Sequence, residues 1–449
     1  MVEWKRVNIT FPTVKLDQFI EPVKKTIAET KGDDYSTVYG VTNTEGITVT
    51  GKKTSKDISK YIVIDEGCFA YNPYRINVGS IGFNDKGLKG CVSSAYVVFK
   101  TRAGFNPEFL FLYLKSDFGN HLINWYGNRG GVRNALRYDD LCKIDVPKID
   151  INEQSILLKK IKRIESSVIE FNSGIDSQLA ILKQLRQAVL QEAIEGKLTS
   201  DWRKEHSELI SGENHASKLL EKIKSEKEKL IKEGKIRKDK LLSPIADNEK
   251  PFDLPNGWVW ARLGDLVSIL GDGLHGTPNY TNNGEYFFIN GNNLNEGEIL
   301  IKDHTKRVSL DEYNRHKKEL TDKTVLVSIN GTLGNVAFYN NEKIILGKSA
   351  CYFNLLTGTS KHYIKQIIKT KYFIIYASDK ASETTIKNLS LKGMRMFLVP
   401  LPSIVEQQII IERVDKLMAM IDELEKQVTD RKSRSEMLMQ SVLREVFSR

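Results

Sequence analysis

The chain has 449 residues, with 67 Lys and Arg against 57 Asp and Glu, giving a formal net charge of +10. That length holds two or three cored domains, and a composition 40% hydrophobic and 9% aromatic excludes a disordered tail or a minimal scaffold. No run approaches the about 18 apolar residues of a membrane span, and MVEWKRVNIT lacks a signal-peptide core, so a cytoplasmic protein with no membrane partner is expected.

Residues 1–148 read as a mixed α/β globule. YIVIDEGCFAYNPY, INVGSIGF and CVSSAYVVFK are β-rich runs parted by Gly and Asn turns, FNPEFLFLYLKS is helical, and the turn Asn128-Arg129-Gly130-Gly131 follows. Residues 149–198 form a long helix entered just after Pro147. Its apolar positions Leu157, Ile161, Ile164, Val168, Phe171, Ile175, Leu182, Leu185 and Val189 follow heptad spacing, which predicts a coiled-coil seam. About 43 residues at 1.5 Å per residue make a rod of roughly 60 Å.

Residues 199–255 are a basic helical linker, with ten Lys or Arg and five Asp or Glu between Lys218 and Lys240. Such a run is either a solvated helix face or a track for phosphates. Residues 256–402 repeat the first globule in outline. KTVLVSINGTLGNVAFY leads to IILGKSACYFNLL, then to the helix KHYIKQIIKT and the turn Thr384-Thr385-Ile386-Lys387. Residues 403–449 form a second long helix, with Ile410, Val414, Leu417, Ile421, Leu424, Val428, Leu438 and Val442 on its seam.

An offset of 253 positions carries VPKIDINEQSI at 146–156 onto VPLPSIVEQQI at 399–409, matching Glu153 with Glu406 and Gln154 with Gln407. The same offset holds without a gap to the end of the chain, where Leu185, Gln187, Val189 and Leu190 fall on Leu438, Gln440, Val442 and Leu443. One domain-plus-helix unit is therefore used twice. Gln178, Arg431 and Ser435 interrupt the seam, either to set register or because they are solvated.

Self-contained chemistry is hard to find. Cys68, Cys91, Cys142 and Cys351 are too few and too scattered for a disulfide framework or a zinc cluster, and read as lone buried thiols. Gly347-Lys348-Ser349 ends like a phosphate-binding loop, but Glu342 replaces the glycine five residues earlier. Asp117-Phe118-Gly119 has the letters of a kinase magnesium motif without its companions, and Asn72-Pro73-Tyr74 lacks the second proline of an amino-methyltransferase tetrapeptide. No catalytic residue and no metal site is expected.

The polar turns suit recognition instead, because amide and guanidinium forks pair bidentately with base edges while small neighbours admit phosphate. Candidate DNA-binding residues in the first globule are Tyr74, Arg75, Asn77, Ser80, Asn128, Arg129 and Arg133. In the second they are His275, Thr277, Asn279, Asn290, Asn292, Asn293, Asn330, Thr332 and Lys387.

The whole arrangement resembles the specificity subunit of type I restriction–modification systems. VPLPSIVEQQIIIERVDKLMAMIDELE, ILKQLRQAVLQEAIEGKLTSDWR, and LLEKIKSEKEKLIKEGKIRK running into LPNGWVWARLGDLVSILGDGLHGTP carry the resemblance. One departure is that Leu254-Pro255-Asn256-Gly257-Trp258 has no full counterpart at the start, where only Trp4 and VKLDQFI match in part. The resemblance implies two target-recognition domains, each reading half of a bipartite site in double-stranded DNA, joined by two helices packed as an antiparallel coiled coil with a pseudo-twofold repeat. It also implies that the helices set the spacer and dock two methyltransferase (modification) subunits, which two restriction/translocase subunits would join. S-adenosylmethionine, ATP and magnesium would then belong to those partners. Two other readings of the residues stay open: a self-contained DNA methyltransferase or nuclease, and a coiled-coil scaffold with two protein- or glycan-binding modules.

Overall fold

Apolar runs of three to six residues, cut by turns, fold as short strands, and the two heptad-spaced segments fold as single long helices. The computed structural model describes residues 12–30, 35–50, 57–128, 134–238, 242–381 and 387–448. It divides into two units, one of residues 1–177 with 427–449 and one of residues 178–426.

In the first unit, Ile20–Pro22, Val97–Thr101, Phe69–Tyr71 and Ile81–Phe83 make one four-stranded sheet. Gly46–Val49, Val38–Thr42, Gly90–Val92 and Ile62–Ile64 make another. Phe69 and Phe99 are wholly buried and stack with ring centroids 4.7 Å apart. The helix Pro107–Lys115 starts where Asn106 accepts hydrogen bonds from the N–H groups of Glu108 and Phe109, with proline in the first turn. VKLDQFI supplies the entry strand: Thr13–Lys15 pairs antiparallel with Asp145–Pro147.

The second unit repeats that entry, with Val259–Arg262 antiparallel to Leu398–Leu401. Its main sheet runs Val267–Asp272, Ala350–Leu355, Thr324–Ser328, Val336–Phe338. A smaller sheet joins Arg307–Val308, Tyr286–Ile289 and Ile344–Leu346, the last two parallel. The basic linker packs here. Its helix Ala216–Lys232 buries Ala216 and Ile223, while Lys222, Lys224, Lys229 and Lys232 face solvent. Solvent-facing lysines are what both readings of the charge run require.

The long helices span Ile151–Ile194 and Ile404–Ser448. Asp150 caps the first by accepting from the N–H groups of Asn152 at 2.8 Å and Glu153 at 3.0 Å. That helix stops before Gly196, whose φ of 71° is left-handed and where a Cβ would meet Pro255 at 2.7 Å. In each unit the helices run antiparallel. Asn172 meets Ser435 and Asp176 meets Lys432 in the first, and Arg186 meets Asp422, Glu425 and Met418 in the second.

Of the two expected heptad rows, one is buried or half-buried along the described seam, while the other opens to solvent away from the helix starts. Ile161, Ile175, Val189, Val414, Ile421 and Val428 are buried, and Ser435 is buried in the same row with its hydroxyl donating to Asn172 Oδ1 at 2.7 Å. The other row opens to solvent: Phe171 is 49% exposed, Leu185 42%, Leu424 46% and Leu438 57%. Two helices alone cannot enclose both rows of a wide apolar stripe. Gln178 and Arg431 lie in this open row and are solvated, whereas Ser435 is the polar residue inside the seam.

The repeated Glu-Gln pair acts differently in its two halves. Gln154 is buried, its Oε1 accepting from Asn106 N at 2.7 Å and its Nε2 donating to the carbonyls of Ile149 and Gly104. Gln407 makes the same clamp, accepting from Ser360 N at 2.9 Å and donating to the carbonyls of Gly358 and Pro402. Glu153 is exposed. Glu406, fully buried, accepts from Arg203 Nη1 at 2.6 Å, Thr199 Oγ1 at 2.7 Å and Trp258 Nε1 at 2.8 Å.

Candidate nucleic-acid interface

Recognition side chains must stand on a rim that the sheets hold still. In the second unit, backbone hydrogen bonds draw five segments together at the ends of strands from its two larger sheets. Leu274 and Gly347 form a parallel bridge, and Gly347 N donates to Ile289 O at 2.8 Å. Ile329 N donates to Ser349 O at 3.0 Å, Gly331 N to Lys387 O at 3.0 Å, and Asn330 bridges Asn388. His275, Asn290, Asn292, Asn293, Asn330, Thr332 and Lys387 thereby come together.

Their side chains have different duties. Asn290 Oδ1 accepts from Ser349 Oγ at 2.9 Å, and Asn293 Oδ1 accepts from Asn290 N at 3.0 Å while its Nδ2 donates to Leu300 O at 3.0 Å. These two amides hold the turn. Asn292, Thr332 and Lys387 are exposed, and His275 is exposed with its Nε2 2.5 Å from Asp272 Oδ2. Thr277 is exposed in the same loop as His275. Asn279 lies at another corner, its N–H held by the buried Glu312 Oε1 at 3.1 Å.

The Gly347-Lys348-Ser349 turn, rejected above as a phosphate loop, sits among these loops. Gly347 permits close packing, since a Cβ there would lie 2.2 Å from Asn290 Oδ1. Ser349 Oγ accepts from Gly291 N at 2.9 Å, which leaves Lys348 exposed on the rim between His275 and Asn292. Sequence reasoning missed Lys348 because motif spacing was the only signal weighed there.

In the first unit, Tyr74 N donates to Asn72 Oδ1 at 3.0 Å, forming a turn that exposes Tyr74 by 60% and also exposes Arg75. Asn77 is half-buried. Ser80 is 4% exposed and donates to Val41 O at 2.9 Å, so it braces the turn and presents nothing outward. Nearby, Lys115 Nζ donates to Asn43 O at 2.8 Å, and burial lowers its pKa. Asn128 is exposed at the end of helix Asp117–Gly127, and Leu136 N donates to Pro73 O at 3.1 Å, bringing the following segment against the Tyr74 turn. Arg129 and Arg133 lie outside the described residues. The same helix packs on the turn Ile76–Val78 and carries Trp125, 70% exposed, a second residue that turn chemistry could not have flagged.

Among the described residues, no group of three or more His, Cys, Asp or Glu is placed to hold a metal, and no helix is long and apolar enough to cross a membrane. Cys68, Cys91 and Cys351 are buried, and burial pushes the Cys91 thiol up to about 11.

Residues 255–431 match the family model described as the type I restriction modification DNA specificity domain. The specificity subunit of the type I restriction enzyme EcoAI from Escherichia coli is 29% identical over 256 residues, which cover 55% of this chain and 41% of that one. The EcoDI specificity subunit from Escherichia coli is 24% identical over 349 residues, 76% of this chain and 69% of the relative. The chain thus spans about two fifths of the EcoAI and EcoEI subunits. A structure concerned with complex assembly and conformational transition of the type I R-M system superposes with a TM-score of 0.64 at 16% identity, covering 97% of both chains. The HsdS subunit from Thermoanaerobacter tengcongensis superposes with a TM-score of 0.54 at 18% identity, covering 98% of this chain and 96% of that one. These neighbours share the fold of two mixed α/β domains, each followed by a long helix. Residues 255–431 thus match the type I restriction modification DNA specificity domain, and the chain is similar to the type I restriction enzyme specificity subunits.

Proposed function

We propose that this chain is the DNA-reading subunit of a type I restriction–modification assembly and is itself non-catalytic. Each domain reads one half of a bipartite duplex target, using exposed residues of its rim: Tyr74 and Arg75 in the first, and His275, Asn292, Thr332, Lys348 and Lys387 in the second. The helices set the unread spacer and dock two methyltransferase subunits, and two restriction/translocase subunits join them. S-adenosylmethionine, ATP and magnesium act on those partners, and the assembly works in the cytoplasm.

The observation that carries this reading is the repeat: one domain-plus-helix unit occurs twice at an offset of 253 residues. Repetition of a reading unit matches a target read in two parts. Capture of duplex DNA rests on counter-ion release by the basic surface, and discrimination on bidentate pairs contributing about 1–3 kcal/mol each. Domains held on a rod read half-sites about one helical turn (34–36 Å) or somewhat more apart.

The test is single-molecule sequencing of methylated adenines in cells expressing the chain with its methyltransferase. Removing one heptad from each helix should change the spacer and leave both half-sites unchanged. An unaltered spacer refutes the ruler, and methylation unrelated to this chain refutes the function. Methyl transfer or cleavage by the purified chain alone refutes the non-catalytic assignment.

A further inference from the structure

The open heptad row is not the same in the two halves of the helix pair. In the first unit it forms a groove of about 560 Å³ floored by Ile164, Phe171 and Leu438 and edged by Arg163, Arg431 and Arg434. No acidic residue lines that groove. The offset of 253 carries these positions to Leu417, Leu424, Leu185, Lys416, Gln178 and Ile181 in the second unit. Three arginines thus become one lysine, one glutamine and one isoleucine.

Exposure sharpens the contrast. In the second unit Ile181 is 61% exposed and Met420 57%, alongside Leu185 at 42% and Leu424 at 46%. Met420 stands at the position of Ser167, another residue of the first groove. Arg186, next to Leu185 in the chain, is already committed to Asp422 and Glu425. One half therefore offers an apolar floor edged by three guanidinium groups, and the other an exposed apolar strip on which a single lysine replaces those three arginines.

We propose that the two halves are unequal docking sites for the same occupant, an amphipathic helix of the methyltransferase subunit whose apolar stripe is flanked by carboxylates. This rests on the reading that the helix pair docks two methyltransferase copies. The half around Phe171 holds its copy with three guanidinium groups, whose attraction is screened by salt. The half around Leu185 and Leu424 holds its copy by apolar burial, which salt does not weaken. The assembly is therefore stepwise, and one copy leaves first as ionic strength rises.

Native mass spectrometry of the full chain co-purified with its methyltransferase subunit tests this. Two copies should be bound near 0.1 M salt and one near 0.5 M, with the departing copy weakened about tenfold over that range. The pair R431Q and R434I, which copies the second half into the first, should flatten that salt response. Q178R with I181R should make the remaining copy salt-sensitive, and circular dichroism checks that each variant keeps its helices. Two copies leaving together from the native chain, or an unchanged salt response in folded R431Q/R434I, overturns the inequality alone. Absence of binding at every salt concentration overturns the docking reading, and the inequality with it.

Discussion

Glu406 gives the sharpest test of how the second long helix is anchored. Its carboxylate is wholly buried and accepts three hydrogen bonds, from Arg203, Thr199 and Trp258. The Arg203 side chain is only 11% exposed and also donates to Gly196 O. Glu406→Ala strands that guanidinium in a low-dielectric site and orphans the indole N–H. Breaking a buried pair by removing one partner costs about 3–5 kcal/mol. At about 2–4 °C per kcal/mol for a domain of this size, the second unit should melt about 6–20 °C lower. Glu153→Ala, at the equivalent but exposed position, should cost under about 1 kcal/mol. Trp202, Trp258 and Trp260 lie in the second unit, so tryptophan fluorescence during thermal denaturation reports its transition. Removing Arg203 and Glu406 together should cost less than the two single changes summed, because neither charge is then stranded. Equal shifts for Glu406→Ala and Glu153→Ala would refute the argument that burial, not sequence position, decides the cost.

Gln407→Ala should destabilise the second unit by about 2–4 kcal/mol in denaturant titration, since it leaves an amide and two carbonyls without their buried partner. In fluorescence anisotropy with the methyltransferase complex, Lys348→Ala should weaken duplex binding across sequences and lower the salt slope by about one. Asn290→Ala should instead lower the melting temperature by loosening the turn, at about 1–2 kcal/mol. Native protein at pH 8 should react with a thiol reagent at no more than one cysteine per chain, Cys142, because the other three are buried; full reaction before unfolding would contradict this. The Arg413 guanidinium beside Asp201, at 2.6 Å, holds its carboxyl down to about 2, below the usual 3.8. A folded pKa below the unfolded one adds stability above about pH 4 that is lost as pH falls toward 2. Arg413→Ala should flatten that part of an acid unfolding curve.

The long helices were legible because heptad spacing is a local pattern, and Val414, Ile421 and Val428 are buried as that pattern expects. Which row would stay open was not legible. Phe171 and Leu438 carry the same apolar signal as Ile175, and which row is covered depends on how the two helices face each other, which a local pattern does not encode. In the rims, sequence alone could not separate an asparagine that builds a turn from one that faces outward. Asn290 spends its side-chain oxygen on the Ser349 hydroxyl and Asn293 its oxygen on the Asn290 N–H, whereas Asn292 between them is exposed. Lys348 was hidden for the opposite reason, since its neighbours resembled a motif that fails on spacing.

The glutamine clamp has a consequence for how such a chain can diverge. Among the described residues, every hydrogen bond of the Gln407 side chain goes to main chain: the N–H of Ser360 and the carbonyls of Gly358 and Pro402. Gln154 likewise meets only the N–H of Asn106 and the carbonyls of Gly104 and Ile149. Because the clamp reads main chain, side-chain identity at Gly104, Asn106, Gly358 and Ser360 is not what its hydrogen bonds depend on. This part of the joint therefore tolerates sequence change around it, since what it holds is the path of the chain and not the identity of the residues on that path.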